Sequence, residues 1–302
     1  MSTAPQPLVY CVILNWNGGT LLLDTLESVG KMTYENRTVL VVDNGSTDGS
    51  MATALSQHPR VEVIENGANL GFGEGNNAGI RTALDRGAEW VFLLNSDIIV
   101  DPLLLSELMA VAGPDPRIGI VGPKIYYHSQ PSLIWYAGGR INYFAGVNSH
   151  RGIRRVDRGQ YDTCEDTDYV TGCALLIRRA ALETAGMFDP AFSPAYGEDA
   201  DLCVRVAGAG YRIVYVPQGR LWHRVSAFSG GGLTPLKTRL KVEHSLIFLQ
   251  KHARWYHWLF IPWCVGAGTI AFLGRELLRG NLPVVKALVQ GYGHALRRIL
   301  SR

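Results

Sequence analysis

Four short apolar runs separated by stretches of helical length constrain this chain more than any other feature. The runs are Val9 to Leu14, Val39 to Val42, Val61 to Ile64 and Trp90 to Leu94. Between them lie about Thr20 to Val29, Asp48 to His58 and Asn76 to Arg86. Continuous apolar runs alternating with helices imply βαβ units, in which a strand is buried on both faces and the crossover helices cover the sheet. In such a sheet ligands bind beyond the carboxyl ends of the strands. Asn15 follows the first run, Asp43 the second, and Asn95 to Asp97 the fourth.

The chain has 302 residues, 47% of them hydrophobic, which suffices for one large α/β domain and a smaller appendage. Residues 1–234 are expected to form the catalytic domain and residues 235–302 a helical segment. The net charge of +3 is too small to point to nucleic acid, which calls for a concentrated basic patch. Charged residues make up only 18% of the chain, so part of the surface is expected to face something other than water.

The stretch Ile125 to Asp168 is rich in Gly, Tyr and Arg and shows no period, which reads as a hairpin or long loop over the site. Tyr169 to Ile177 is expected to return as a strand. A helix from Glu198 and a short strand Ile213 to Val216 should follow. Trp255 to Leu273 is nearly free of charge. As one helix it would be about 28 Å long, close to the thickness of a bilayer core. Pro262, Gly266 and Gly268 interrupt it, and Lys251, Arg254, Arg275, Arg279, Lys286, Arg297 and Arg298 flank it. Cations on both sides fit a re-entrant or in-plane helix pair better than a clean span. A soluble appendage is the alternative.

The five cysteines form no C-x-x-C pair and are odd in number, so buried free thiols in a reducing compartment are expected. Met1 to Pro7 is a short polar lead without the pattern of a secretory signal, which predicts a cytoplasmic catalytic body.

Several segments carry chemistry. Asn69-Leu-Gly-Phe-Gly-Glu-Gly-Asn-Asn77 follows the third run and lacks the final glycine of a dinucleotide fingerprint; no P-loop exists either. It reads as a flexible loop feeding a helix near Asn76, either a phosphate cradle or a turn needing positive φ. Asp43 sits where a carboxylate accepts from a pyrimidine N–H or a ribose hydroxyl, and Thr47 or Asp48 is placed to cap the next helix. Asp97 is placed to hold a divalent cation, while Asp101 is the better cap for a helix starting near Pro102. Glu198, Asp199 and Asp201 exceed what compensation of a helix dipole requires, so one of them is a candidate general base. His223 alone reads most simply as a structural hydrogen-bonder. Trp135 either faces a sugar ring or packs the hairpin.

Taken together, Val12 to Gly18, Val41 to Asp48, Asn69 to Asn77, Leu94 to Asp97, Tyr196 to Leu202 and Trp222-His223 resemble family 2 glycosyltransferases, closest to the bacterial rhamnosyltransferase-like branch. The resemblance covers about residues 8–230. It implies a GT-A nucleotide-diphospho-sugar transferase fold: an α/β domain with a mostly parallel central sheet and flanking helices, followed here by a C-terminal helical, membrane-associated segment. It implies that Asp43 binds the base of a UDP- or dTDP-sugar. Asn15, Asn17, Asn69, Gly71, Asn76, Asn77, Asn95 and Ser96 would line the nucleotide sugar. Asp97 would ligate Mn2+ or Mg2+, with His223 as a second metal or diphosphate contact. Asp199 would be the base of an inverting transfer, supported by Glu198, and Trp135 and Gly138 would face the acceptor. Asn95 replaces the first acid of the family's D-x-D, which removes one negative charge from the metal site. The implied acceptor is a cell-envelope or lipid-linked saccharide at the cytoplasmic face of the inner membrane, where the protein would be peripheral or monotopic. A non-catalytic sugar-binding scaffold is the rival reading. A sugar nucleotidyltransferase ranks lower, because Asn15 to Gly19 offers no cation for a triphosphate.

Overall fold

The computed structural model describes residues 6–225 and 232–301, so most of the polar lead of residues 1–7 lies outside the described residues. The first half follows the alternation expected: β1 (Val9–Asn15), α1 (Gly19–Gly30), β2 (Arg37–Asp43), α2 (Ser50–Gln57), β3 (Glu62–Glu65), α3 (Gly71–Asp85) and β4 (Trp90–Asn95). These four strands pair in parallel in the order β3-β2-β1-β4. The chain passes from β1 to β2 and β3 on one side and returns to place β4 on the other. The carboxyl end of β1 is therefore a switch point, and crossover helices diverge there to leave a crevice.

The second half contains β5 (Ile98–Val100), α4 (Leu104–Ala112), β6 (Ile118–Tyr127), β7 (Gln130–Tyr136), β8 (Gly139–Asn142), β9 (Val147–His150), β10 (Glu165–Asp166), β11 (Ala174–Arg178), α5 (Arg179–Ala185), α6 (Glu198–Gly208) and β12 (Arg212–His223). Among the described residues ten strands form one sheet, ordered β10-β12-β6-β11-β4-β1-β2-β3, with β5 beside β12 and β7 beside β6. The sheet is mixed, which corrects the expectation of a mostly parallel one: β11 runs antiparallel to both β4 and β6, and β5, β7 and β10 also pair antiparallel. Tight reversals need no crossover helix, so the helical spacing that signals parallel strands is missing from this part of the sequence.

Other local expectations shift for physical reasons. The segment Asn69 to Asn77 is helix from Gly71 onward rather than a loop. Gly71 takes a φ of 81°, as a turn needing positive φ requires, whereas Gly75 and, four residues on, Gly79 serve close packing: a Cβ on Gly75 would stand 2.6 Å from Leu14 Cδ1, and one on Gly79 2.4 Å from Val12 Cγ1. The stretch after Ile125 does contain the hairpin expected there, formed by β6 and β7, with the short strands β8, β9 and β10 set among irregular chain. Residues 169–173 are not strand, whereas β12 runs well past Val216. Asp101 caps the turn before α4, accepting from Leu103 N at 2.8 Å, and not the helix itself. Asp48 accepts from Ser50 N at 3.0 Å at the start of α2.

All five cysteines are free. Cys11, Cys173 and Cys203 are buried, but Cys164 and Cys264 are exposed, against the expectation that all five are buried. Cys164 lies in the irregular chain before β10, and Cys264 on a face of α8 (Ile261–Leu278) that has few partners.

The chain divides into two compact units: residues 6–139, 150–194 and 198–225 in one, and residues 140–149, 195–197 and 232–301 in the other. In the first, the sheet and its helices enclose a core that includes Ile13, Leu22, Trp90, Phe92, Leu176 and Tyr215. The second is built on α7 (Pro235–His252), α8 and α9 (Leu282–Leu300). α7 and α9 meet closely at Gly291, where a Cβ would stand 2.7 Å from Arg239 O. Glu243 on α7 ties them further by accepting from Arg298 at 2.9 Å. The apolar stretch Trp255 to Leu273 is broken at Phe260 into a 3-10 turn, Trp255–Leu259, and α8, whose first turn contains Pro262. Among the described residues no helix is long and apolar enough to cross a membrane.

Candidate active site

The first cluster forms where β1 and β2 end side by side. Their parallel register places Asn15 opposite Asp43. Both are buried. Asn15 Nδ2 lies 3.1 Å from Ser46 Oγ, 3.2 Å from Ser50 Oγ and 3.4 Å from Asp43 Oδ1, while Asp43 Oδ2 accepts from Ser46 N at 3.1 Å. Asn15 Oδ1 is buried without a hydrogen-bond partner. A Cβ on residue 18 would stand 2.2 Å from that oxygen, so glycine there leaves the Asn15 side chain its place. Asn17 takes positive φ and accepts from Thr47 N at 2.8 Å, so the two loops that follow β1 and β2 are laced together.

Asn44 was not singled out by sequence reasoning, yet it organises the next loop. Its amide donates to Asn69 Oδ1 at 3.0 Å and to Gly71 O at 3.2 Å, and its oxygen accepts from Asn66 Nδ2 and Leu70 N. Asn69 also accepts from Gly71 N at 2.9 Å. Asn76 Nδ2 donates to Phe72 O, and the Asn77 amide exchanges hydrogen bonds with the Phe188 backbone at both ends. Asn77 is thus largely committed to holding α3 against the chain near Phe188, a role that only a distant contact reveals.

The second cluster forms at the end of β4. Asn95 and Ser96 lead into Asp97, and the chain reverses at once into β5. The antiparallel register of β5 with β12 places His223 opposite Ile98, and Arg224 N donates to Asp97 O at 2.9 Å. His223 Nε2 therefore stands 3.1 Å from Asp97 Oδ1, with both residues buried. Neither Asp97 Oδ1 nor His223 Nδ1 has an aligned hydrogen-bond partner. Burial works against a charge on His223, but Cys173 and Asp97 beside it outweigh that, and its pKa is raised to about 10. The Trp135 ring meets His223 edge-on at 4.7 Å and His150 likewise at 4.6 Å. Trp135 thus packs the hairpin and braces the imidazole. Gly138 takes φ of 97° at the end of the same hairpin.

The third cluster lies at the start of α6. Asp199 Oδ2 accepts from Gly172 N at 3.1 Å and Oδ1 from Ala200 N at 2.8 Å. Burial raises the Asp199 carboxyl above the usual carboxylate range, against those hydrogen bonds. Glu198 beside it is buried. Asp201 is fully buried and pairs with Arg205 at 2.8 Å, a link within the helix. Cys173, next to Gly172, accepts from Asn95 N at 3.0 Å. Residues 172 and 173 therefore tie the second and third clusters together, and no pattern in the sequence marks them.

A match to the Glycosyl transferase family 2 model covers residues 10–186, which takes in the first cluster, Asp97 and Gly172 and ends before Asp199 and His223. The chain belongs to glycosyl transferase family 2. This family 2 transferase is similar to the N-acetylglucosaminyl-diphospho-decaprenol L-rhamnosyltransferase of Mycobacterium tuberculosis, with 30% identity over 294 residues, covering 90% of this chain and 93% of the relative. That similarity puts it with the rhamnosyltransferase-like members. Its fold is that of GT-A transferases. The mannosyltransferase PcManGT from Pyrobaculum calidifontis, in complex with GDP-Man and Mn2+, superimposes with a TM-score of 0.61 at 19% identity, covering 97% of this chain and 81% of that one. GalNAc-T7 with UDP, GalNAc and Mn2+ gives a TM-score of 0.65 at 17% identity, covering 81% of this chain and 48% of that one.

Among the described residues no group of three or more His, Cys, Asp or Glu side chains is arranged to hold a metal ion. The transferase does offer a pair. Asp97 supplies a buried carboxylate oxygen, and His223 an imidazole that becomes a donor once it gives up its proton; substrate oxygens would complete the coordination of Mn2+ or Mg2+.

Proposed function

We propose that this glycosyltransferase moves a sugar from a UDP- or dTDP-linked donor to a hydroxyl of a diphospholipid-linked saccharide, with inversion at the anomeric carbon. Rhamnose is the sugar favoured by the mycobacterial relative, whose name also gives the acceptor class. The observation that carries the reading is the placement of Asp43, the Asp97–His223 pair and Asp199 around the carboxyl ends of β2 and β4, where α/β folds bind ligands.

In this reading Asp43 accepts from the base or ribose, and Asn15 holds it in place. Asp97 and His223 hold the divalent cation, which when bound offsets negative charge on the diphosphate. Asp199 takes the proton from the acceptor hydroxyl as that oxygen bonds to the anomeric carbon and the bond to the diphosphate breaks. Its raised pKa makes it a stronger base than an exposed aspartate, and the two backbone hydrogen bonds hold its orientation. Glu198 supports Asp199 or contacts the acceptor.

The second unit is proposed to seat the protein on the cytoplasmic face of a membrane as a peripheral or monotopic protein. α8 buries only Ile261 and Glu276, while Trp255, Trp263, Ile270 and Leu278 are exposed among the flanking cations.

Calorimetric titration of UDP, dTDP and GDP, with and without Mn2+, tests the donor site. One pyrimidine diphosphate should bind only with metal, and Asp97→Ala should abolish that binding. Absence of binding by all three would overturn the reading.

A further inference from the structure

Beyond the three clusters, the segment 151–162 carries a second feature with chemistry. A depression of about 410 Å³ is lined by Arg154, Arg155, Val156, Arg158 and Gln160. We propose that these three arginines form a diphosphate-binding site for the acceptor; this rests on the reading that the acceptor is a diphospholipid-linked saccharide.

The arginines are exposed, and no carboxylate among the described residues neutralises them. The acids closest in sequence are committed elsewhere. Asp157 accepts from Lys124 Nζ at 2.9 Å and from Tyr126 OH at 2.6 Å, and Asp162 pairs with the same buried lysine. The guanidinium charge is therefore left uncompensated at the surface while the anionic charge is drawn inward. Planar guanidinium groups match phosphate oxygens in bidentate geometry, so such a surface favours a phosphate ester over an isolated carboxylate-free sugar.

The segment is also held in shape. Arg154 takes a φ of 59°, rare for a residue with a side chain. Arg154 N donates to Ile134 O at 2.8 Å, Ile134 N to Arg155 O at 2.9 Å and Asp157 N to Ser132 O at 2.9 Å. Gln160 closes the turn by donating to Val156 O and accepting from Arg158 N. These bonds fasten the arginines to β7 beside Ile134. The next residue on that strand is Trp135, whose ring packs on His223. The arginines are therefore fastened to the same strand, β7, that carries the tryptophan bracing His223.

The decisive measurement is calorimetric binding of geranyl diphosphate, with UDP or dTDP saturating the donor site, to the wild type and to the triple variant R154A/R155A/R158A. The wild type should bind it, geraniol should not bind, and the variant should weaken binding at least tenfold. With a diphosphate-linked acceptor the variant should raise KM by a similar factor at nearly unchanged kcat, while a phosphate-free saccharide acceptor shows no change. Equal geranyl diphosphate binding by both proteins overturns the proposal. So does a variant that loses only cosedimentation with phosphatidylglycerol vesicles, since the arginines would then serve lipid headgroups. Arginine-dependent binding without turnover on any acceptor would leave this site standing and overturn the transferase reading alone.

Discussion

His223 Nε2 lies 3.1 Å from Asp97 Oδ1 because the last residue of β12 is paired across β5 with the residue that follows Asp97. Two side chains far apart in sequence thus become neighbours through one antiparallel register, and the proposed function makes them the metal ligands. Asp97→Ala and His223→Ala should each lower Mn2+ affinity by about 10-fold to 100-fold or more. Calorimetry with the nucleoside diphosphate present measures this, and unchanged metal affinity in both variants would remove the pair from the metal site.

Asp199→Asn should reduce kcat by about 10²- to 10⁴-fold, the range typical for a general base, while donor affinity stays within a few-fold. Parallel loss of donor binding would instead make Asp199 a binding residue.

The raised Asp199 pKa has two pH consequences. Only the ionised form accepts a proton, so the acidic limb of kcat should lie above about pH 4, the ordinary aspartate range. For stability, the folded state holds this proton more tightly than the unfolded chain. The contribution is fully present below the unfolded pKa and is lost as pH rises through the folded one. Asp199→Asn should therefore gain stability relative to wild type as pH rises through that window. Urea unfolding at several pH values measures the trend, and a difference that moves the other way would contradict the raised pKa.

Lys124 is fully buried between Asp157 and Asp162. Lys124→Met leaves Asp157 without its cation and should destabilise the protein by about 3–5 kcal/mol. Denaturant unfolding tests this. A loss below about 1 kcal/mol would mean that water replaces the lysine.

Gly79 allows α3 to lie on β1 and β2. A methyl group there would stand 2.4 Å from Val12 Cγ1 and 2.8 Å from Val42 Cγ2, both on stiff branched side chains. Gly79→Ala should cost about 1–3 kcal/mol by overpacking, even though alanine favours helix. A stabilised variant would show that the interface yields.

Trp255 and Trp263 are 78% and 79% exposed. If the second unit lies on a bilayer, replacing both with serine should sharply reduce cosedimentation with phosphatidylglycerol vesicles. Equal pelleting of variant and wild type would argue for a different occupant of this face.

Strand and helix periods and polar strand ends are local properties, so the parallel βαβ half of the sheet was legible in the chain of residues alone. It also marked the residues that gather into the three clusters and the family they belong to. What depends on contacts between distant segments emerged only in the folded chain. Antiparallel β11 and the β5–β12 pairing made the sheet mixed and set His223 beside Asp97. Contacts across the fold turned apparent loop glycines into packing positions, and committed Asn77 to the Phe188 backbone. The anchors Asn44 and Gly172 likewise act through partners that no local pattern names. Register and close approach arise from pairing over long separations, and that information is absent from any single window of the chain.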